Sequence, residues 1–237
     1  MRSRNIAILL AAALMVGSCC LAGAAAAATP TLFTRPGEML GHTLRFRGAL
    51  DAGQAGRTLQ IQRQVAGGAW TQTATATVAP DGSFLARWRT DAIGNFAVRA
   101  LIAGTQVQAA DAAPLTTTTT VYRPARATWF GPGFYGKHTA CGQVMSHALL
   151  GVAHRKLPCG TPVSLFYGGK TLVVPVIDRG PFANGAHYDL TSAAAQLLGM
   201  EQTSTVGVVP QRGAFMDPPP LPAQSPFSGT GGYLPAP

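Results

Sequence analysis

Beyond residue 125 the chain holds few groups able to move a proton: Asp178, Asp189, Glu201 and Asp217 are its only carboxylates there. Asp178 ends the apolar run Thr171-Leu-Val-Val-Pro-Val-Ile and enters the turn Arg179-Gly-Pro-Phe. A strand hands a side chain to a cleft rim at such a point, so Asp178 suits general acid–base work. It suits capping of the turn or pairing with Arg179 equally, and spacing alone favours that second use. Consecutive strand residues point to opposite faces, which separates Arg179 from Asp178. Asp189 follows eleven residues later, ahead of an Ala- and Leu-rich segment. It reads as a second cleft carboxylate or, better on position alone, as an acid favoured by a helix N-terminus. His154 fits two roles: hydrogen-bonding a substrate or orienting Asp178, and a satisfied structural histidine. Trp129, Phe130, Phe134, Tyr135 and Tyr167 offer faces that suit pyranose rings and suit core packing as well. His138, His147 and His187 fall at no ligand spacing and no C-x-x-C occurs, so neither a metal nor another cofactor is expected.

The elements that must position these residues are mostly strands. Pro162-Val-Ser-Leu-Phe-Tyr and Thr171–Ile177 are apolar runs of strand length, the second made irregular or edge-like by Pro175. Val206-Gly-Val-Val is a third. One helix stands out: Thr191 as N-cap, Ser192 to Leu198 as its body, Gly199 as its stop. Upstream, Thr43-Leu-Arg-Phe-Arg, Arg57–Arg63, Thr71–Val78, Ser83-Phe-Leu-Ala-Arg-Trp-Arg and Asn95–Ile102 alternate with a period near two, separated by Gly- and Asn-rich turns. That spacing predicts a β-sandwich over 33–122, resembling the immunoglobulin-like modules of exported proteins. Thr116 to Thr120, β-branched throughout, is read as its last strand, running almost directly into a second domain at 125–215. Residues 216–237 are Pro/Gly/Ser-rich and read as a disordered tail.

Only 11% of residues are charged, and 28 Gly and 18 Pro suit β-rich domains with many turns rather than a helical bundle. Arg2 and Arg4, an apolar run from Ile6 to Val16, and small residues up to Ala28 read as a signal peptide over 1–28. The competing reading of that segment is a lipoprotein box before Cys19. Export is therefore expected, to the periplasm, wall or exterior, with peripheral or lipid-anchored membrane association as the variant. The net charge of +9, +7 once Arg2 and Arg4 leave with the signal peptide, would meet polyanions there: wall glycans, teichoic-type polymers or lipid headgroups. Nucleic acid is not expected as a partner, because no Lys/Arg cluster stands out along the chain. Cys141 and Cys159 remain after processing, an even number in an oxidising compartment, and a disulfide is the natural reading.

Four stretches carry a family resemblance. They are Ala127-Thr-Trp-Phe-Gly-Pro-Gly-Phe-Tyr-Gly, His138-Thr-Ala-Cys-Gly-Gln, Gly151-Val-Ala-His-Arg-Lys-Leu-Pro-Cys-Gly-Thr-Pro-Val, and Val176-Ile-Asp-Arg-Gly-Pro-Phe with Tyr188-Asp-Leu-Thr-Ser-Ala-Ala-Ala-Gln-Leu-Leu-Gly-Met. In order and spacing this region resembles the rare lipoprotein A (RlpA) family. The resemblance implies an all-β chain whose second domain is a six-stranded double-psi β-barrel with a short helix. It also implies action on peptidoglycan strands by endolytic lytic transglycosylation, without metal. In that reaction one carboxyl protonates the glycosidic oxygen and then takes the proton of the sugar's own 6-hydroxyl, so a carboxylate-poor site suffices. Ordinary glycosidases need two. The resemblance makes Asp178 the expected acid/base and His154 its partner, with Gln143, Trp129, Tyr135, Asp189 and Arg179 expected at the substrate. The paired cysteines resemble an expansin-leaning subgroup. Gln143 and Ser146 stand where active members carry Glu and usually Asp, and they favour the rival reading, a non-catalytic wall-binding or wall-loosening module.

Overall fold

A computed structural model describes residues 29–65, 67–104, 114–183 and 185–211. The signal segment, the Cys19 box and the C-terminal tail expected from the sequence lie outside them. The strands are β1 (Thr31–Phe33), β2 (Gly37–Met39), β3 (Thr43–Ala49), β4 (Thr58–Val65), β5 (Thr71–Thr77), β6 (Ser83–Arg89), β7 (Gly94–Ile102) and β8 (Leu115–Phe130). After them come β9 (Val152–Ala153), β10 (Pro162–Tyr167), β11 (Lys170–Asp178), β12 (Tyr188–Thr191), the helix α1 (Ser192–Leu198) and β13 (Ser204–Pro210).

The first half is a two-sheet sandwich. One sheet has the order β1-β3-β6; the other runs β5-β4-β7-β8, with β2 on the far side of β8. The period-two pattern explains the packing: Leu44, Phe46, Phe84, Ala86 and Trp88 of the first sheet are buried against Leu59, Ile61, Phe96, Val98 and Val121 of the second. Trp88 meets Phe96 edge-on, ring centroids 5.6 Å apart. Each such large apolar side chain contributes about 1.5–3 kcal/mol by leaving water.

The second half is a closed six-stranded barrel. Its order is β12-β9-β11-β10-β13-β8, and β8 closes the ring by pairing with β12. The β9–β11 and β8–β12 pairs are parallel and the other barrel pairs antiparallel. Val152, Val163, Leu165, Val174, Val176, Leu190, Val206 and Val208 fill the interior. Pro175 is irregular rather than edge-like: β11 is paired on both sides, and its register with β9 shifts between Val176 and Asp178. Helix α1 ends as its sequence predicts, with the Thr191 side chain accepting from the Ala194 N–H and Gly199 in the left-handed region at φ 77°.

One strand belongs to both halves. β8 pairs with β7 and β2 up to Tyr122, then with β13 from Arg123 and with β12 from Ala127. Its register partner at Pro124 is Gly207. A small cluster of Tyr122, Phe166 and Val209, with Met39 and Ile93 against it, packs where the halves meet.

Candidate glycan cleft on the barrel

Two carboxylates are brought into one row of the barrel sheet. Ala153 of β9 is the register partner of Asp178 on one side and of Asp189 on the other, and Asp189 is in turn the partner of Thr128. Partners in register share a face, so Ala153, Asp189 and Thr128 face the same way, and Asp178 meets this row at the irregularity in β11. The strands of the two acids lie about 10 Å apart, with only an alanine between. Neighbouring Val152 and Leu190 are in the barrel core, which by alternation turns Ala153 and Asp189 outward.

The two acids live in different surroundings. Asp178 accepts the backbone N–H of Ala140 and of Arg179, both at 2.8 Å and both on Oδ1. Asp189 accepts the hydroxyl of Thr128 at 2.6 Å. Burial pushes the Asp189 carboxyl above the ordinary range, the Thr128 bond opposes that, and the nearby charge of Asp178 adds to the rise. The sequence expectation of Asp189 as a helix-terminus acid gives way here: it belongs to β12, and its bond is to Thr128 rather than to the end of α1.

Asp189 lines a cleft of about 380 Å³ with Thr128, Trp129, Pro181, Phe182, Ala183 and Thr203. Trp129 is held by its indole N–H to the carbonyl of Glu201 at 3.1 Å and remains 39% exposed. Phe182 is 80% exposed on the other lip. Arg155 steadies that lip, donating 2.6 Å bonds to the carbonyls of Pro181 and Ala186. Phe182 and Thr128 escaped the sequence reading as site residues. Phe182 was nonetheless visible as a large apolar residue after a Gly-Pro turn, whereas Thr128 had no signal beyond its place in an alternating strand.

The other expected site residues fall around the cleft rather than in it. His154 Nδ1 accepts the backbone N–H of Lys156 and of Leu157, at 3.1 and 2.9 Å, and its ring packs on Tyr188. Burial lowers its pKa, aided by Arg155, Arg179, His187 and Lys156, so the neutral ring is favoured with its proton on Nε2. Its backbone N–H donates to the Asp178 carbonyl at 3.1 Å. The Arg179 guanidinium reaches the sulfur of Cys159 at 3.2 Å and the carbonyls of His154 and Asp178, not the Asp178 carboxylate. Gln143 is exposed and accepts the Thr139 hydroxyl at 2.9 Å. One face of Tyr135 is covered by His147, ring centroids 3.7 Å apart, and its hydroxyl meets that of Ser192. Cys141 and Cys159 are bridged, Cα atoms 5.7 Å apart. The bridge staples the 139–143 loop beside the end of β11, where Cys141 also donates to the Ile177 carbonyl. No cluster of His, Cys, Asp or Glu that could hold a metal occurs among the described residues.

Residues 123–211 match the family described as "Lytic transglycolase". A protein of Synechocystis named "Probable endolytic peptidoglycan transglycosylase RlpA" is 44% identical over 85 residues, 35% of this chain and 26% of that one. A protein of the same name from Aquifex aeolicus is 42% identical over 86 residues, 35% of this chain and 37% of that one. The "Endolytic peptidoglycan transglycosylase RlpA" of Campylobacter jejuni is 38% identical over 84 residues, 35% of this chain and 30% of that one. The chain thus spans between about a quarter and just over a third of these relatives. The closed six-stranded ring, the motif order and these identities place residues 123–211 in the RlpA-like double-psi β-barrel family.

Proposed function

We propose that this protein is an exported, peptidoglycan-acting lytic transglycosylase that cuts glycan strands to 1,6-anhydro products. The observation that carries this reading is a carboxyl whose surroundings favour its protonated form, Asp189, in an open cleft between Trp129 and Phe182. The family relatives named for this activity support it. The family resemblance made Asp178 the expected acid/base; the surroundings of Asp189 favour giving it that role instead. Asp189 gives its proton to the glycosidic oxygen as the bond to C1 breaks. The resulting carboxylate takes the proton of the 6-hydroxyl as that oxygen closes on C1, so the enzyme ends as it began. Asp178, its Oδ1 held by two backbone N–H groups, is the second carboxyl of the row and lies across Ala153 from Asp189. His154 holds the backbone that follows Ala153 and thereby the row of acids, as a positioning residue.

The test is mass spectrometry of stem-peptide-free glycan after digestion. Anhydro ends are expected from the wild type, none from Asp189→Asn, and fewer from Asp178→Asn and His154→Ala. All variants should still sediment with insoluble wall, and about 1 M salt should weaken that only in part, since stacking and hydrogen bonds outlast screening. Ordinary reducing ends, or cleavage that survives Asp189→Asn, would overturn the mechanism. The second reading, an expansin-like wall-binding module, is favoured by Gln143 and Ser146. Tight binding without anhydro ends, even after Gln143→Glu, would establish it in place of the first.

A further inference from the structure

The arginines that formed no cluster along the chain form one on the sandwich. On the outer face of the β1-β3-β6 sheet, Arg45 and Arg47 of β3 lie beside Arg87 and Arg89 of β6, all four exposed. Arg45 is the direct cross-strand partner of Arg87, Arg47 pairs with Leu85, and Arg89 with Thr43. From the row of Arg47 to the row of Arg89 is four residues, a stripe about 13 Å long and two strands wide. None of the four is in an ion pair among the described residues: Glu38 pairs with Arg35 and His42, and Asp91, two residues past Arg89, pairs with Arg63. Asp51 and Asp81 sit in turns beyond the Ala49 and Ser83 ends of these strands, each bonded to its own turn's backbone.

Like charges directly opposite one another on a sheet are destabilising, so folding alone does not account for Arg45 facing Arg87. A second feature narrows the partner. The row containing Arg47 reads Phe33–Arg47–Leu85 across the three strands, with Phe33 64% and Leu85 40% exposed. A soluble polyanion offers nothing to those two side chains. A bilayer surface offers phosphates to the guanidinium forks and an apolar boundary to the Phe and Leu between them.

We propose that the outer face of the three-stranded sheet docks on an anionic lipid surface, with Arg45, Arg47, Arg87 and Arg89 on headgroup phosphates and Phe33 and Leu85 entering the interface. This rests on the sandwich alone and is independent of the chemistry of the barrel. It places a membrane-facing surface on one half of the molecule and the glycan cleft on the other.

Vesicle sedimentation tests it with the full chain, comparing phosphatidylcholine vesicles containing phosphatidylglycerol with vesicles of phosphatidylcholine alone. Reading the ratio of the two affinities cancels any contribution that residues 1–28 make equally to both. The wild type should prefer the anionic vesicles. Each guanidinium removed should cost roughly fivefold, so that Arg45→Gln with Arg87→Gln lowers the ratio about 25-fold. The same double variant should unfold at an equal or higher temperature, because it removes a repulsion. Phe33→Ser with Leu85→Ser should weaken binding to the anionic vesicles severalfold and make what remains more salt-sensitive. No preference for anionic vesicles, or a preference untouched by the arginine pair, overturns the proposal. Binding indifferent to Phe33 and Leu85 and fully displaced by inorganic polyphosphate would reassign the stripe to a soluble polyanion.

Discussion

At the scale of single residues, the reading turns on which acid keeps its proton. Asp189 is raised by burial and by Asp178, against the Thr128 bond, so cleavage should fall as pH rises through its pKa. Asp178→Asn removes the neighbouring charge and lowers the Asp189 pKa, moving that alkaline limb toward lower pH; Thr128→Val removes a bond that favours the carboxylate and moves it higher. A pH profile of anhydro product for the three proteins checks both directions. An unmoved limb in both variants would assign the proton to another group. The same shift has a stability consequence. A raised carboxyl contributes stability below its unfolded pKa that is lost as pH rises through its folded pKa. Asp189→Asn should therefore be stabilising at neutral pH, with that gain vanishing in acid, as denaturant titrations at the two pH values would show.

At the scale of elements, the site depends on loops tied to strand ends. The 139–143 loop donates the Ala140 N–H to Asp178 and is anchored by the disulfide from Cys141 to Cys159. Cys141→Ser should cost about 2–5 kcal/mol in chemical denaturation, and reductant should destabilise the wild type by a similar amount while leaving the variant unchanged. The Phe182 lip depends in the same way on Arg155, whose guanidinium spans two carbonyls of one turn. Neither tie is expressed in the strand pattern. What the sequence does give is the pieces: the cysteines, the Arg after His154, and the Gly-Pro turn.

At the scale of the molecule, the two halves share β8 and a joint. Tyr122 stacks on Phe166 with ring centroids 5.1 Å apart, and its hydroxyl meets that of Ser164 at 3.1 Å. The fit at the joint is close, since a Cβ added to Gly207 would lie 2.5 Å from the Cβ of Tyr122. Shared backbone and a buried joint predict one cooperative thermal transition. Gly207→Ala overpacks the joint and should cost about 1–3 kcal/mol; Tyr122→Ala empties it and should split the transition into two. Calorimetry checks both. A single transition retained in Tyr122→Ala would place the coupling in the β8 backbone alone.

The sequence by itself determined the β class, most strands, the helix with Thr191 and Gly199 at its ends, and the family of residues 123–211. These follow from local rules: alternation, turn chemistry, caps and motif order act over a few residues at a time. It also singled out Asp178, Asp189, Trp129 and the two cysteines. Only the tertiary structure decided how they meet. The barrel register puts Asp178 and Asp189 on either side of Ala153, and closure between β8 and β12 brings Thr128 to Asp189 from 61 residues away. The same holds for the arginine stripe, whose two strands are separated by β4 and β5 in the chain. Pairing between strands distant in sequence sets which charges share a face, and with it which carboxyl loses water and which charges it feels; no local pattern encodes that.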